Sequence, residues 1–386
     1  MDEKLGCSRR EFLQWVSMGA GAMMLYPLGS FGSQMLLQER KYYQVWQDLE
    51  ELPDEEKLGI ALVGLGNYAS GQLAPALQET KLCRLAGIVT GTPAKEEQWA
   101  EQYGIEEGNI YNYENFDEIA GNDDIDIIYV VLPNSMHAEY TIRAAEAGKH
   151  VISEKPMATS AADCEAMIEA CRDNNRRLSI GYRLHFEPHN EEMMRLGQEE
   201  YFGGIQKTDG VHSFDIGNDP DVWRLDAELS GGGPLMDIGI YVIQAAIYTI
   251  GEPPVAVTAR QETTNQELFS EVEETIEWEM EFPGEMVAHG TSSYSERGNH
   301  HRVQADEGWF ELEPAYSYTN IQGETQEGAM DFPQVNQQTL QMDAFADHIL
   351  NGSENRVPGE MGLRDVKILY AIYEAAETGQ RVELDL

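Results

Sequence analysis

Positive charge is scarce in this chain of 386 residues: 26 Lys and Arg stand against 68 Asp and Glu, a formal net charge of -42. An excess of that sign repels phosphate backbones and anionic lipid surfaces, which excludes nucleic acid and a charged membrane as expected partners. Cysteine is equally sparse. Cys7, Cys83, Cys164 and Cys171 match no zinc-ligand spacing, so no metal site is expected, and three cysteines beyond the N-terminal segment cannot form a disulfide framework. They suit the role of small buried hydrophobes. A membrane-spanning run is lacking too, because the apolar stretch from Trp15 to Leu28 is interrupted by Gly19, Gly21 and Pro27. What is present is a globular composition, 42% hydrophobic, and a length that calls for two domains. The acidic residues are spread along the whole chain, as on the solvated surface of a halophile's protein; a merely acidic protein from an ordinary source has the same composition.

The N-terminus carries Ser8-Arg9-Arg10-Glu11-Phe12-Leu13 ahead of that apolar stretch. Paired arginines followed by Phe-Leu and an apolar region resemble a twin-arginine export signal over residues 1–33, which implies the twin-arginine machinery as a partner and a periplasmic location. Ser30, Gly32 and Ser33 are small residues in the region of a cleavage site, but no Ala-x-Ala is present. Residues 34–57 form an arm or linker, polar and acidic, with Tyr42, Trp46 and Leu49 at helical spacing and Pro53 as its one proline.

From Leu58 the pattern becomes doubly wound. An apolar run to Val63 enters Gly64-Leu65-Gly66-Asn67-Tyr68-Ala69, the G-x-G-x-x-A form of a dinucleotide-binding turn. Gly64 permits the tight turn, Gly66 lets the backbone approach a pyrophosphate, and a following helix start favours negative charge. A strand over Cys83 to Val89 ends in Thr90-Gly91-Thr92, where an NAD site places a carboxylate. Thr90 and Thr92 offer hydrogen bonds and Lys95 a positive charge, so the residues favour NADP over NAD. Helices and strands then alternate through Leu132-Pro133-Asn134 and His137, a strand end and helix start suited to cofactor contact, to Leu178–Gly181. The expected Rossmann domain covers residues 58–181.

At another strand end in this series stands Glu154-Lys155-Pro156. Strand ends in open α/β sheets border the ligand crevice, and Lys-Pro holds an ammonium group there on a restricted backbone. Beyond residue 182 strand alternation dominates. In Val272 to Phe282, apolar Val272, Ile276, Trp278, Met280 and Phe282 share one face, and Glu273, Thr275, Glu277, Glu279 and Glu281 the other, predicting a half-exposed sheet with an acidic outer surface. Gly231-Gly232-Gly233-Pro234 precedes a helix whose four-residue step puts Asp237 and Tyr241 on one face.

Together these motifs resemble the glucose-fructose oxidoreductase and inositol dehydrogenase family, from about Leu58 to the C-terminus. The resemblance is carried by Leu132-Pro133-Asn134-Ser135, His137-Ala138-Glu139, Ala147-Gly148-Lys149-His150-Val151, Glu154 to Ser160, Trp223-Arg224-Leu225 and Gly231 to Tyr241. Tyrosine at 241, where many relatives have histidine, places it near the sugar oxidoreductase branch. The resemblance implies an α/β fold, a Rossmann domain followed by a domain (182–386) with a large, mainly antiparallel sheet, and a homo-oligomer, dimer or tetramer. It also implies hydride transfer between a sugar or polyol and NADP, with Tyr241 as acid/base, Lys155 polarising the reacting oxygen and Asp237 orienting it. A lysine ammonium beside the tyrosine favours its phenolate form. Arg183, Trp223 and Arg224 are further substrate candidates, Arg183 also a cofactor contact. Retained NADP would let oxidation of one sugar be coupled to reduction of another. The alternatives are a dehydrogenase for a non-sugar substrate such as a cyclic diol, and a catalytically silent NADP-binding sensor.

Overall fold

Residues 41–386 are described by a computed structural model. The parallel sheet is built from β1 (Leu58–Val63), β2 (Cys83–Val89), β3 (Ile110–Tyr111), β4 (Ile127–Val130), β5 (His150–Ser153) and β6 (Leu178–Ile180), in the order β3-β2-β1-β4-β5-β6. Its central strands are apolar at consecutive positions because both faces are covered: Ile60 to Val63 and Ile127 to Val130 are all buried. Helices α1 (Tyr42–Asp48), α2 (Pro93–Tyr103), α3 (His137–Glu146) and α4 (Ala161–Asp173) come from the same half of the chain. One face, however, is roofed in part from far downstream: Met342, Phe345 and Ala346 join Leu73, Ala76 and Trp99 in one core with Ile60, Leu62, Ile88 and Ile152.

The second sheet has nine strands: β7 (Ile205–Ser213), β8 (Ala256–Glu262), β9 (Thr275–Glu281), β10 (Val287–Ser293), β11 (Gly298–Ala305), β12 (Trp309–Leu312), β13 (Gly323–Thr325), β14 (Gly328–Met330) and β15 (Val382–Glu383). Their order is β14-β13-β12-β11-β7-β10-β9-β8-β15, antiparallel throughout except between β7 and β10. Helices α5 (Pro188–Gln198), α6 (Ile240–Ile250), α7 (Gln337–Asn351) and α8 (Gly359–Thr378) complete the chain. The roof over the parallel sheet is α7, so the cofactor lobe expected to end at residue 181 takes part of its cover from residues 337–351. The central strand β7 has no apolar alternation in sequence. Its Gly210 leaves room for Val242, whose Cγ1 would lie 2.6 Å from an added Cβ.

The alternation expected of β9 holds, with Ile276, Trp278 and Met280 buried and Glu277, Glu279 and Glu281 on the outer face, but that face is not acidic alone. Cross-strand partners meet its carboxylates: Arg260 pairs with Glu277, His289 with Glu279 at 3.2 Å, Arg381 with Glu281 at 2.7 Å, His300 with Asp209 at 2.9 Å and Arg302 with Glu311 at 2.8 Å. Glu273 is not on that face at all; it precedes β9 and is buried. Helix α1, within the expected arm or linker, is held by residues far along the chain. Trp46 Nε1 donates to Asp343 at 2.6 Å, and Lys81 Nζ donates to the carbonyls of Trp46 and Leu49. Lys81 stands just before β2, so residues 46–49 sit at the N-terminal end of the sheet, whereas the glycine-rich turn follows the C-terminal end of β1. The twin-arginine segment lies outside the described residues.

Candidate active site

The turn after β1 has the geometry a dinucleotide needs. Gly64 has a φ of 95°, and a Cβ there would meet the Val131 carbonyl oxygen at 2.4 Å. Gly66 has open space where its Cβ would be, and it and Asn67 are exposed. A wide π turn, Ala69–Leu73, opens the helix that follows. Lys95 reaches back from the first turn of α2 to give its ammonium to the Leu65 carbonyl at 2.7 Å, which sets a cation beside the glycine turn. Thr90 is buried and its Oγ1 accepts from the Thr92 N–H at 3.2 Å, closing the end of β2 with no carboxylate in it.

The motifs at the ends of β4 and β5 divide into framework and chemistry. Leu132 and Pro133 lead off β4, and Asn134 is buried with its Nδ2 on the Ser230 carbonyl at 2.8 Å, a tie between the two lobes. His137, expected to touch the cofactor, does not face the crevice. Its ring lies 2.9 Å from both the Pro156 and Leu132 carbonyl oxygens and is fully enclosed, so it staples the end of β4 to the Lys155-Pro156 segment. Burial pushes its pKa down against the pull of those two carbonyls. Glu154 is likewise internal, accepting from the Tyr129 hydroxyl at 2.8 Å, and burial raises its carboxyl.

Lys155 points into the space between the lobes. Its Nζ donates to the Asp237 backbone carbonyl at 2.6 Å, lies 3.5 Å from Asp237 Oδ1 and stands 4.9 Å from the centre of the Tyr241 ring. The helix carrying Asp237 and Tyr241 begins with a π turn, Leu235–Gly239, rather than the ordinary helical turn that Pro234 predicted. Such wide turns recur at functional sites because they re-aim side chains and carbonyls. Asp237 Oδ2 accepts from Arg224 Nε at 2.7 Å and from the Tyr294 hydroxyl at 3.1 Å. Burial alone would raise this carboxyl, but Arg224 and Lys155 outweigh it and hold the pKa at about 2. Arg224 is itself stacked on Trp223, 4.7 Å from the ring centre.

Arg183 is buried at 2% exposure, and its guanidinium donates to the carbonyls of Tyr316 at 2.6 Å and Ser317 at 3.1 Å and to the Gln337 amide oxygen. It lies 5.0 Å from the Tyr241 ring centre and 4.4 Å from that of Tyr318. None of those hydrogen-bond acceptors is charged, and no carboxylate forms an ion pair with Arg183 among the described residues. The contact expected with cofactor or substrate is therefore replaced by a buried cation against the tyrosine.

Two residues joined the site unannounced. His212 on β7 stacks on Tyr316 with ring centres 4.9 Å apart and presents its edge to Tyr241 at 5.5 Å. Burial first, then Arg183 and Lys155, push its pKa to about 3, so the ring is neutral. Glu273 accepts from the backbone N–H groups of Gly233 and Leu235, each at 3.0 Å. A strand alternation that runs on past the start of β9 misassigns Glu273; the signal that could have found it is the neighbouring Glu274, which already breaks the alternation.

Residues 58–182 match the family model for the oxidoreductase family with an NAD-binding Rossmann fold, and residues 191–311 match the GFO/IDH/MocA C-terminal domain. The chain is 32% identical over 351 residues to D-xylose 1-dehydrogenase [NADP(+)] of Haloarcula marismortui, covering 88% of this chain and 96% of that one. It is 26% identical over 355 residues to D-glucoside 3-dehydrogenase of Escherichia coli, with 85% and 97% covered. Among solved structures, aldose-aldose oxidoreductase from Caulobacter crescentus complexed with glycerol superposes with a TM-score of 0.83 at 45% identity, over 85% of this chain and 100% of that one.

Proposed function

The chain belongs to the GFO/IDH/MocA oxidoreductase family, and from that premise we propose that it is an NADP-dependent sugar oxidoreductase moving a hydride between a sugar carbon and the nicotinamide. The observation that carries this reading is the convergence of Lys155, Asp237 and Tyr241 between the lobes, with Lys155 Nζ 2.6 Å from the Asp237 carbonyl and 4.9 Å from the Tyr241 ring centre. NADP is the cofactor named for the Haloarcula relative. The residues here fit it: open space at Gly66, a lysine beside the turn, and no carboxylate at the end of β2 to repel a 2'-phosphate.

When bound, NADP accepts the hydride in one direction and returns it in the other. The protein's part is the proton. As the sugar C–H gives up its hydride, the hydroxyl on that carbon must lose a proton, and we assign Tyr241 to take it; a cyclic aldose oxidised at its anomeric carbon leaves as the lactone, and one oxidised at another ring carbon as the ketone. Lys155, 4.9 Å from the Tyr241 ring centre, holds the reacting oxygen. Asp237, ionised at any pH above its value of about 2, fixes Lys155 and presents acceptor oxygen to a sugar hydroxyl. Trp223 and Arg224 border the same space. A sensor without catalysis has no need of this set. The test is a panel of aldoses, ketoses, polyols and cyclic diols assayed with NADP and NAD; turnover of diols alone would replace the sugar reading.

The finer reading couples oxidation of one sugar to reduction of a second by NADP that stays bound. It is supported by the name of the Caulobacter relative and by the Ser8 to Leu13 motif, since an exported protein has little access to free NADP. Purified, dialysed protein should then show reduced nicotinamide absorbance on adding an aldose, and lose it on adding a second carbonyl sugar. A colourless protein active only with added NADP would leave an ordinary dehydrogenase. Export is tested by changing Arg9 and Arg10 to Lys and fractionating cells; unchanged delivery outside the cytoplasm would reject it.

A further inference from the structure

Each glycine of the run before the catalytic helix is pressed against a different element. A Cβ on Gly231 would meet Thr159 Cγ2 at 2.6 Å, in the segment that follows Lys155. One on Gly232 would meet the Tyr373 hydroxyl on α8 at 2.1 Å, and one on Gly233 the Glu273 carbonyl oxygen at 2.6 Å. The run is thus keyed to three neighbours at once, and one side chain joins two of these contacts. The Glu273 carboxylate takes the Gly233 and Leu235 N–H groups at 3.0 Å and the Tyr373 hydroxyl at 3.0 Å. Leu235 opens the π turn that presents the Asp237 carbonyl to Lys155.

We infer that Glu273 is a positioning residue for the reaction: by clamping Gly233 and Leu235 against Tyr373, it sets where the Asp237 carbonyl, and with it the Lys155 ammonium, stands relative to Tyr241. The inference rests on the catalytic roles assigned above. It draws on chemistry that a packing role does not require. A buried carboxylate accepting two backbone N–H groups and a phenol is fully used, and an apolar side chain of the same shape would leave both N–H groups unsatisfied. Displacement of a catalytic group by about 1 Å commonly costs on the order of a hundredfold in rate.

The clamp also adjoins a cavity of about 980 Å³ lined by Gly231, Gly232, Glu273 and Tyr373 among others. That space gives a small carboxylate access to the place Glu273 occupies. In Glu273→Ala, kcat should fall by about tenfold to a hundredfold, with KM for the aldose and NADPH binding, followed by fluorescence, close to those of the unaltered protein. Formate or acetate should restore much of the loss, and chloride at equal ionic strength should not. Glu273→Gln keeps the shape but sets an amide N–H₂ against one of the two backbone donors, so it should fall between. Tyr373→Phe, which keeps the ring, should lower kcat less.

A second measurement does not depend on turnover. Competitive acetylation of Lys155, quantified by peptide mass spectrometry, should quicken in Glu273→Ala because the ammonium loses its partner carbonyl. Quickened labelling in a protein that oxidises no sugar would keep the positioning role and reject the proposed activity. Unaltered kcat with unaltered labelling would overturn the inference. So would a lowered melting temperature with a kcat that formate leaves untouched and unaltered labelling. Should Glu273→Ala fail to fold, Glu273→Gln and Tyr373→Phe decide by the same kcat and labelling readouts.

Discussion

Two glycine-rich segments introduce the two halves of the site, and each runs into a π turn, Ala69–Leu73 after the first and Leu235–Gly239 after the second. They use glycine for opposite ends. At Gly66 the missing side chain leaves empty, exposed space, whereas at Gly231, Gly232 and Gly233 the protein itself occupies the space with Thr159, Tyr373 and Glu273. The first arrangement leaves room for a group from outside the chain. The second fixes a helix whose side chains must be held to a fraction of an ångström. A glycine-rich motif therefore says little until the occupant of its vacant side is known.

The largest test of this division falls on the second segment. Tyr241→Phe should lower turnover by about 10²- to 10⁴-fold, the usual worth of general acid/base help, with NADPH binding by fluorescence unchanged. Loss of binding instead would mean that the catalytic half also builds the cofactor half.

Next in size comes a pH effect on Asp237. Its carboxyl falls from an ordinary 3.8 to about 2 in the folded protein. The sign follows: its stabilisation is complete above the unfolded value and vanishes as pH drops through about 2, a contribution of roughly 2 kcal/mol at neutral pH. Acid unfolding curves of the protein and of Asp237→Asn should therefore converge as pH falls from about 4 to 2; a constant gap between them across that window would refute the depressed value.

Paired alanines then separate the two glycine uses. Gly232→Ala must displace Tyr373 and adopt a φ of 156°, so stability should drop by about 1–3 kcal/mol, as for an overpacked core, with NADP affinity retained in the folded protein. Gly66→Ala should leave the melting curve within about 0.5 kcal/mol while weakening NADP on the order of tenfold, or about 1.4 kcal/mol. If both variants changed the same quantity, the contrast would fail. The smallest effect expected is at Thr90. Replacement by Asp should turn preference toward NAD through repulsion of the 2'-phosphate, and an unchanged ratio of the two binding constants would put the phosphate site elsewhere.

Much of this site was legible in sequence because its signals are local. Gly64, Lys155-Pro156 and the Asp237–Tyr241 step each announce themselves within a few residues, and so do strands such as Leu58–Val63 and Cys83–Val89, whose observed bounds are those expected. What was not legible depends on partners far away in the chain. His137 has the right place for cofactor contact but is turned inward by two carbonyls. Arg183 was expected at the cofactor and is instead held by Tyr316, Ser317 and Gln337, more than a hundred residues on. Strand β7 hides in a polar sequence because its buried face needs smallness, at Gly210, rather than apolarity. The arm before Leu58 shows the same limit: its helix was foreseeable, but the end of the sheet it packs on was not.

Asp343 has a consequence for the order in which the protein can be made. From α7 it accepts the Lys81 and Leu82 N–H groups at 2.8 and 2.9 Å, just ahead of β2, together with Trp46 Nε1. Its neighbours Met342, Phe345 and Ala346 roof the parallel sheet. At roughly 5–20 residues per second of synthesis, residue 343 leaves the ribosome on the order of ten to thirty seconds after β6. During that interval the cofactor lobe has all its strands, but one apolar face is covered only by near neighbours such as Leu73, Ala76 and Trp99, and two amides ahead of β2 lack their acceptor. The glycine turn is thus complete in the growing chain well before α7 arrives to finish the cover of the sheet behind it and to take up the amides of Lys81 and Leu82.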